Sequence, residues 1–562
     1  EVVRGLAKDP GDRHPSMDAL LVTLTRRPAR RRRLLIAGSI GLSAALLLSS
    51  VLAVNELRRS RALSACADEG RAIDEIWNSG SSQRLAEALA ATGSPYAATS
   101  HERMVAWLDP FAEAWARDRS ELCRARVEET IAPELDERSQ ACFDEQLDRL
   151  GAMVDVFAHA DVEMVAGAAK AAAVFSQLDS CTDEQALLQR PAIPVELAAS
   201  SELRTARRQL ARAAALIDAG DYAAGIAQAR EAQAVGELLS FAPLEAEARL
   251  LAAGAHSELG DYGEVVEELR TAYHVASVAG SDLLAARAAS LLLRVLGYHM
   301  ARGAEGLIWA DVAEAALARL QRTEGLDAAQ LANNIGLVHE TLGDFDEAER
   351  WHRQALKLRR TLLSADHPET AHSYANLGNL ALQRGRLDEA LRWHQRALAV
   401  RTRSLGPGHP DVARSLSNTG RVYLARGEIV EALDHFERAH EIFVVTVGGQ
   451  NRAGARVLDY IGRAQRAGGD LELARIFFSR ALAIQNELLG SGHQETAQTM
   501  LDLGEVLLDL GDFEGAGATI HAAADTLAGK LDPSHPARRQ AERALHRLAA
   551  RVEALDDTGG DG

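Results

Sequence analysis

Apolar positions recur at helical spacing through most of this chain, and from residue 331 to 536 the recurrence itself repeats. In the first copy, Leu331 to Leu342 places its apolar residues on one helical face, Gly343-Asp344 breaks the pattern, and Asp346 to Leu363 resumes it. Later copies carry a small residue at Gly336, Gly378, Gly420, Gly462 and Gly504, each 42 residues after the last (378 − 336, and so on). A second glycine follows at Gly343, Gly385, Gly427, Gly469 and Gly511. Alanines recur at Ala348, Ala390, Ala432, Ala474 and Ala516, and again at Ala355, Ala397, Ala439, Ala481 and Ala523. The connecting loop holds His367, His409, His493 and His535, with Asn451 in the remaining slot. One helix pair cannot cover its own apolar face, so neighbours must stack into a solenoid.

The small–Gly–Ala–Ala spacing resembles the tetratricopeptide repeat, whose usual period is about 34. The longer period here, with Asp366-His367-Pro368 and Gly408-His409-Pro410 in the loops, is similar to the repeats of kinesin light chains. That resemblance implies an all-α, right-handed superhelical solenoid that binds peptides in its groove. Gly220-Asp221-Tyr222 and Gly260-Asp261-Tyr262 repeat the turn phrase upstream. The expected layout is therefore degenerate repeats over 200–328, five full repeats over 329–536, and a capping helix with a tail over 537–562.

With 562 residues the chain exceeds what one core can hold, and its net charge of −18 argues against nucleic acid as the main partner. The charge is uneven. Residues 26–33 read Arg-Arg-Pro-Ala-Arg-Arg-Arg-Arg and form a basic linker. An uncharged run follows at 34–54, which is expected to be a transmembrane helix, the rival being a buried helix. The arginine bias then gives a single-pass bacterial inner-membrane protein with a cytoplasmic N-terminus and periplasmic repeats. Ala37, Gly41 and Ala45 share one face of that run and offer a homodimer contact.

Residues 1–25 include Leu6-Ala7-Lys8-Asp9-Pro10-Gly11-Asp12-Arg13-His14-Pro15-Ser16. This phrase resembles the end of a bacterial serine/threonine protein kinase domain, where Arg13 has a structural role. The order kinase end, basic linker, apolar run and repeats resembles the C-terminal part of a myxobacterial transmembrane kinase. No glycine-rich loop, catalytic loop or metal site of a kinase stands in this chain, so it holds no catalytic centre. ATP and Mg enter only if a full kinase domain lies upstream.

Residues 58–199 are helical in pattern but not repetitive, and hold Cys66, Cys123, Cys142 and Cys181. At least one disulfide is expected among them, with pairing open and four free thiols as the alternative. No cysteine spacing suits a metal.

For ligand binding, Asn334, Asn376 and Asn418 stand two residues before the first glycine, where an amide can both donate and accept along a peptide backbone. Arg414 and Arg421 share a helix face, and Arg456 and Arg463 are the same positions one repeat on. Four guanidinium groups so placed suit acidic side chains or a chain terminus. The alternatives are asparagines that satisfy neighbouring loops and arginines paired internally, with Asp459 and Glu505 available. The function expected is a protein- or peptide-binding sensor or scaffold half of a membrane kinase. A plain membrane-anchored scaffold and an exported enzyme are the other classes.

Overall fold

The computed structural model describes residues 2–176, 181–198, 200–260, 262–448, 450–530 and 536–559. Side chains at 26–34, 41, 44, 45, 176, 195, 198, 447, 530, 536 and 554–559 lie outside that description. Asp261, His535 and the side chains of Gly41 and Ala45 therefore lie outside the described residues. The described residues contain helices and no strand.

Two compact units divide the chain. The first comprises Glu1–Arg71 and Ala116–Pro133. It holds the short α1 (Val2–Gly5) and a 54-residue α2 (Met17–Gly70). Ser16 starts α2, its hydroxyl accepting from the Ala19 N–H at 3.1 Å. Near the other end, Cys66 bonds to Cys123. Gly70 lies against Ala116 and Ser120, where a Cβ has no room.

The membrane assignment is corrected here. Among the described residues no helix is long and apolar enough to cross a membrane. A bilayer core requires about 20 consecutive apolar residues. Of the run 34–54, the side chains of residues 34, 41, 44 and 45 lie outside the described residues. The segment is also an interior part of α2, without a helix boundary at either edge. The inner-membrane localisation, the periplasmic repeats and the membrane as a partner do not stand.

The second unit comprises Ala72–Trp115 and Glu134–Gly562. It begins with α3 (Ser79–Ala91) and continues with α4 (Ala97–Val127, which runs on beyond this unit), α5 (Pro133–Ala158) and the short α6 (Ala168–Ala173), α7 (Glu184–Leu188) and α8 (Val195–Ala198). Cys142 bonds to Cys181, and the buried Trp115 donates its indole N–H to the carbonyl of Phe143, the residue after Cys142. With no free cysteine among the described residues, alkylation without reductant is expected to label none. Removing the second bridge with Cys142→Ala/Cys181→Ala is expected to cost about 2–4 kcal/mol, read as a lower midpoint in urea. Free alkylation of all four thiols in unreduced protein contradicts this.

The solenoid follows as helix pairs. They are α9 (Ser201–Ala219) with α10 (Tyr222–Leu238), α11 (Ala242–Leu259) with α12 (Tyr262–Val278), and α13 (Asp282–Leu292) with α14 (Gly303–Arg319). The full repeats are α15 (Leu326–Leu342) with α16 (Phe345–Leu362), α17 (Pro368–Gln383) with α18 (Leu387–Leu405), and α19 (Pro410–Arg426) with α20 (Ile429–Val447). They continue with α21 (Arg452–Gly468) with α22 (Leu471–Leu489), and α23 (Gln494–Leu510) with α24 (Phe513–Lys530). α25 (Pro536–Gly559) covers the last pair through Ala541, Ala544 and Leu548. A π-helical stretch, Leu293–His299, extends α13 in the irregular unit that carries Trp309.

The repeat signature reads directly as packing. Gly427 and Gly469 end their helices in the left-handed conformation, at φ 77° and 88°. Both alanine rows are fully buried. The first glycine of each copy receives a side chain from the partner helix. A Cβ at Gly420 would lie 2.7 Å from the Phe436 ring, and one at Gly462 would lie 2.9 Å from Phe478. In the first two copies the same place is taken by His352 against Gly336 and His394 against Gly378.

Neighbouring repeats are also joined by buried polar rungs. Arg359 donates to Ser373 Oγ at 2.8 Å, and Arg401, one repeat on, donates to Ser415 Oγ at 2.8 Å. The next repeat replaces the rung with the apolar pair Phe443 and Val457, both in the core.

Candidate functional site

From α17 onward the first helices of the repeats, α17, α19, α21 and α23, start on side-chain caps. The His367 Nδ1 accepts from the Glu369 N–H at 3.1 Å, His409 from Asp411 at 3.0 Å, and His493 from Glu495 at 3.1 Å. Asn451 does the same work, its Oδ1 accepting from the Gly454 N–H at 2.8 Å. A ring nitrogen that accepts must be unprotonated, so these histidines hold their proton on Nε2. Burial favours that neutral state, and holds His409 down to about 4. The loop histidines are thus helix caps, a role their recurrence alone did not reveal.

The three asparagines part company. Asn334 is buried, its amide donating to the Ser290 carbonyl at 3.1 Å and its carbonyl accepting from Gln330. Asn376 is buried and donates to Asn333 Oδ1 at 2.7 Å. These two amides tie one repeat to the next. Asn418 is half-buried, and its Oδ1 accepts from Arg421 at 3.3 Å.

The four arginines are likewise unequal. Arg414 pairs with Asp411 on its own helix. Arg463 lies between Asp459 and Asp502, at 2.8 and 2.7 Å. Burial pushes the Asp502 carboxyl up to about 6, against the pull of Arg463. Arg421 meets the amide oxygens of Asn379 and Asn418, and its guanidinium carbon stands 5.6 Å from the centre of the Tyr460 ring. Arg463 approaches the same ring at 6.0 Å. Arg456 is exposed. Burial pushes Glu495 up, but its bonds to Arg452, with Arg456 nearby, hold it below the usual range. No carboxylate of the described residues bridges Arg421 or Arg456 directly.

The structure therefore gathers Arg421, Arg456, Tyr460 and Arg463 on the facing first helices α19 and α21. Arg456, Tyr460 and Arg463 share one helix face. Tyr460, the aromatic between the cations, stands at the repeat position that Asn334, Asn376 and Asn418 hold in the earlier copies. Asp459 takes up one arginine, while Glu505 pairs with Arg466 instead. In the first unit, Arg13 donates from Nε to the Ala7 carbonyl at 2.8 Å and so pins the turn Pro10–Asp12.

A second feature of the repeats involves the residues before them. The Tyr96 ring lies over Gly408, and the Thr99 methyl lies 2.6 Å from where a Cβ of Gly406 would stand. The His367 Nε2 lies 3.3 Å from the Ala173 carbonyl, and the Trp107 ring meets His367 edge-on at 5.6 Å. Gln189 donates to the Leu320 carbonyl at 2.5 Å. Parts of 96–189 thus pack on the inter-repeat loops of the solenoid.

The tetratricopeptide repeat family matches residues 327–401, 375–444 and 455–517, so the chain carries tetratricopeptide repeats. No curated protein matches it. Among solved structures it is similar to BtubC (BKLC) from P. vanneervenii, at 23% identity over 41% of this chain and 90% of that one, with a TM-score of 0.33. A Podosopora anserina putative kinesin light chain with nearly identical TPR-like repeats is 20% identical over 37% of this chain and 98% of that one, with a TM-score of 0.31. The apo form of RapI is 15% identical over 46% and 99%, with a TM-score of 0.33.

Proposed function

We propose that this chain is a protein-interaction module whose repeats bind an acidic or carboxylate-ended segment of a partner protein. The observation that carries the reading is the cationic cluster around Tyr460. Among the described residues no carboxylate bridges Arg421 or Arg456 directly, in a protein of net charge −18. A carboxylate of the partner would take bidentate bonds from Arg456 or Arg421, and its chain would lie along the ring. Asn418 and Asn379 supply amide groups beside it. Arg463 is held beside the cluster by Asp459 and Asp502.

The same reading makes the module the sensor or scaffold part of a signalling protein joined to a serine/threonine kinase. Its support is the phrase Leu6 to Ser16, which forms a turn pinned by Arg13 followed by a helix that Ser16 caps.

Titration with a glutamate-rich peptide ending in a free carboxylate tests the binding claim. Arg421→Ala/Arg456→Ala is expected to lose roughly 2–4 kcal/mol of affinity while keeping its helicity. Wild-type affinity is expected to fall as salt rises, because the charges stay partly solvated. Equal affinity for both proteins would place the site elsewhere.

A further inference from the structure

The repeat position that holds Asn334, Asn376, Asn418 and Tyr460 holds Asp502 in the last full copy. Asp502 on α23 meets Asp459 on α21 across one guanidinium. Arg463 Nη2 lies 2.7 Å from Asp502 Oδ2, and Arg463 Nε lies 2.8 Å from Asp459 Oδ2. The two aspartates are 5% and 4% exposed. Each accepts from one further donor, Thr499 Oγ1 to Asp459 Oδ1 at 3.2 Å and Gln540 Nε2, from α25, to Asp502 Oδ1 at 3.2 Å. Neither arginine contact is well directed. Asp502 Oδ2 and Arg463 Nε make no hydrogen bond of good geometry among the described residues.

Two buried carboxylates that share one arginine carry a surplus negative charge when both are ionised, and such a pair takes up a proton more readily than a lone carboxylate. Arg463 favours the ionised form of Asp502, while Asp459 and Glu505 oppose it. Glu505 is itself bridged by Arg466 and by Arg547 of α25. Glu495 acts on Asp459 in the same sense, and is held by Arg452. The other two neighbours, α22 and α24, pack on α23 through Phe478 and Ile520. Burial is the largest influence and raises both carboxyls, Asp502 to about 6. Arg463 also stands 6.0 Å from the centre of the Tyr460 ring, and its side chain is 38% exposed. One guanidinium thus joins the carboxylate pair to the proposed peptide site.

We infer that Asp459, Asp502 and Arg463 form a proton-controlled gate on the acidic-peptide site, in which a proton taken up by the pair releases Arg463 to a carboxylate of the partner, so that acid favours binding. The gate rests on the reading of that site given above and adds its regulation. The proton cancels the surplus negative charge beside Tyr460 and leaves Arg463 with one ionised carboxylate in place of two. By linkage, the arriving partner draws the same proton in.

The probe is an acetylated aspartate-rich peptide with a free terminal carboxylate, titrated calorimetrically against the full chain at about pH 7.5 and about pH 5.5. Its carboxyls titrate at about 3.5–4 and stay ionised across that range. Wild type is expected to bind about threefold to tenfold more tightly at the lower pH. It is also expected to take up a proton on binding near neutrality, read from the change of binding heat with the ionisation enthalpy of the buffer. Asp502→Asn removes the charge and keeps an oxygen for Gln540. It is expected to bind at the higher pH about as tightly as wild type does at the lower, with most of the pH dependence gone. Wild-type binding that neither tightens in acid nor takes up a proton overturns the gate and leaves the site standing. A gain that Asp502→Asn retains in full overturns the gate equally, because the proton then enters elsewhere. Absence of binding at both pH values overturns the site itself, and the gate with it.

Discussion

Replacing Gly420 with leucine is expected to cost the third repeat about 3 kcal/mol or more. A Cβ there would lie 2.7, 2.9 and 3.1 Å from three atoms of the Phe436 ring. The ring has nowhere to go, being fully buried and stacked on Tyr460 at 5.5 Å between centres. Helix propensity favours the change by about 1 kcal/mol, which is the smaller effect. The expected readout is a lower urea midpoint, with faster hydrogen exchange in α19 and α20. Phe436→Ala opens the space, so the double variant Gly420→Leu/Phe436→Ala is expected to be more stable than the sum of the single losses allows. Simple additivity would mean that this glycine does not govern the approach of the two helices. Because Tyr460 rests on Phe436, the same substitution is expected to weaken acidic-peptide binding as well.

His394→Phe is expected to stabilise the protein, increasingly so as pH falls. His352, one repeat earlier, pairs its Nε2 with Glu340 at 2.7 Å. The position matching Glu340 in the second repeat is Leu382, and among the described residues the fully buried His394 has no side-chain partner and only a poorly directed contact with the Gly378 backbone. Leaving such a group unsatisfied costs roughly 1–3 kcal/mol. The next two copies place Phe436 and Phe478 at this position, against the same glycine. The pH effect follows from burial, which, with Arg421 and Arg401 nearby, holds His394 down to about 3 from 6.5. The unfolded chain therefore takes up a proton below pH 6.5 that the folded chain refuses. Stability from this site falls as pH falls through that window and is intact above it. At about pH 5 the loss is roughly 2 kcal/mol. The difference between His394→Phe and wild type is expected to widen by that amount between about pH 7 and pH 5. A difference that stays constant with pH would show that His394 titrates normally.

Much of the solenoid was legible because its period is written in small residues. A position that must be glycine or alanine on every copy announces a close helix approach, and each of those alanines is buried. What fills the space beside the glycine was less legible. Histidine, phenylalanine and isoleucine all serve there, and only the partner helix explains why. The loop histidines illustrate the same limit. Spacing marked them as recurrent, but capping depends on the geometry of Nδ1, which no spacing shows.

The candidate site was half legible. Equal spacing of Arg414 with Arg421, and of Arg456 with Arg463, placed these residues on adjacent helices. It did not distinguish Arg463, consumed by Asp459 and Asp502, from Arg456, which is exposed. Asn334 and Asn376 face neighbouring repeats, because the atoms they bond, on Ser290 and Asn333, come from a register that only the stack creates. The uncharged run at 34–54 misled in another way. Composition gave it a membrane role on its own, whereas the structure makes it an interior part of a longer helix and shows no described helix fit to span a bilayer.

The claim that the repeats bind a carboxylate-bearing segment is tested most directly by locating that segment on the molecule. An acidic peptide with a photo-crosslinking group beside its terminal carboxylate would be irradiated with the full chain, and the attachment points found by mass spectrometry. Attachment is expected on α19 and α21, within 410–426 and 452–468, and to disappear in Arg421→Ala/Arg456→Ala. Attachment on the second helices α20 and α22, or labelling that the double variant leaves unchanged, would contradict the account.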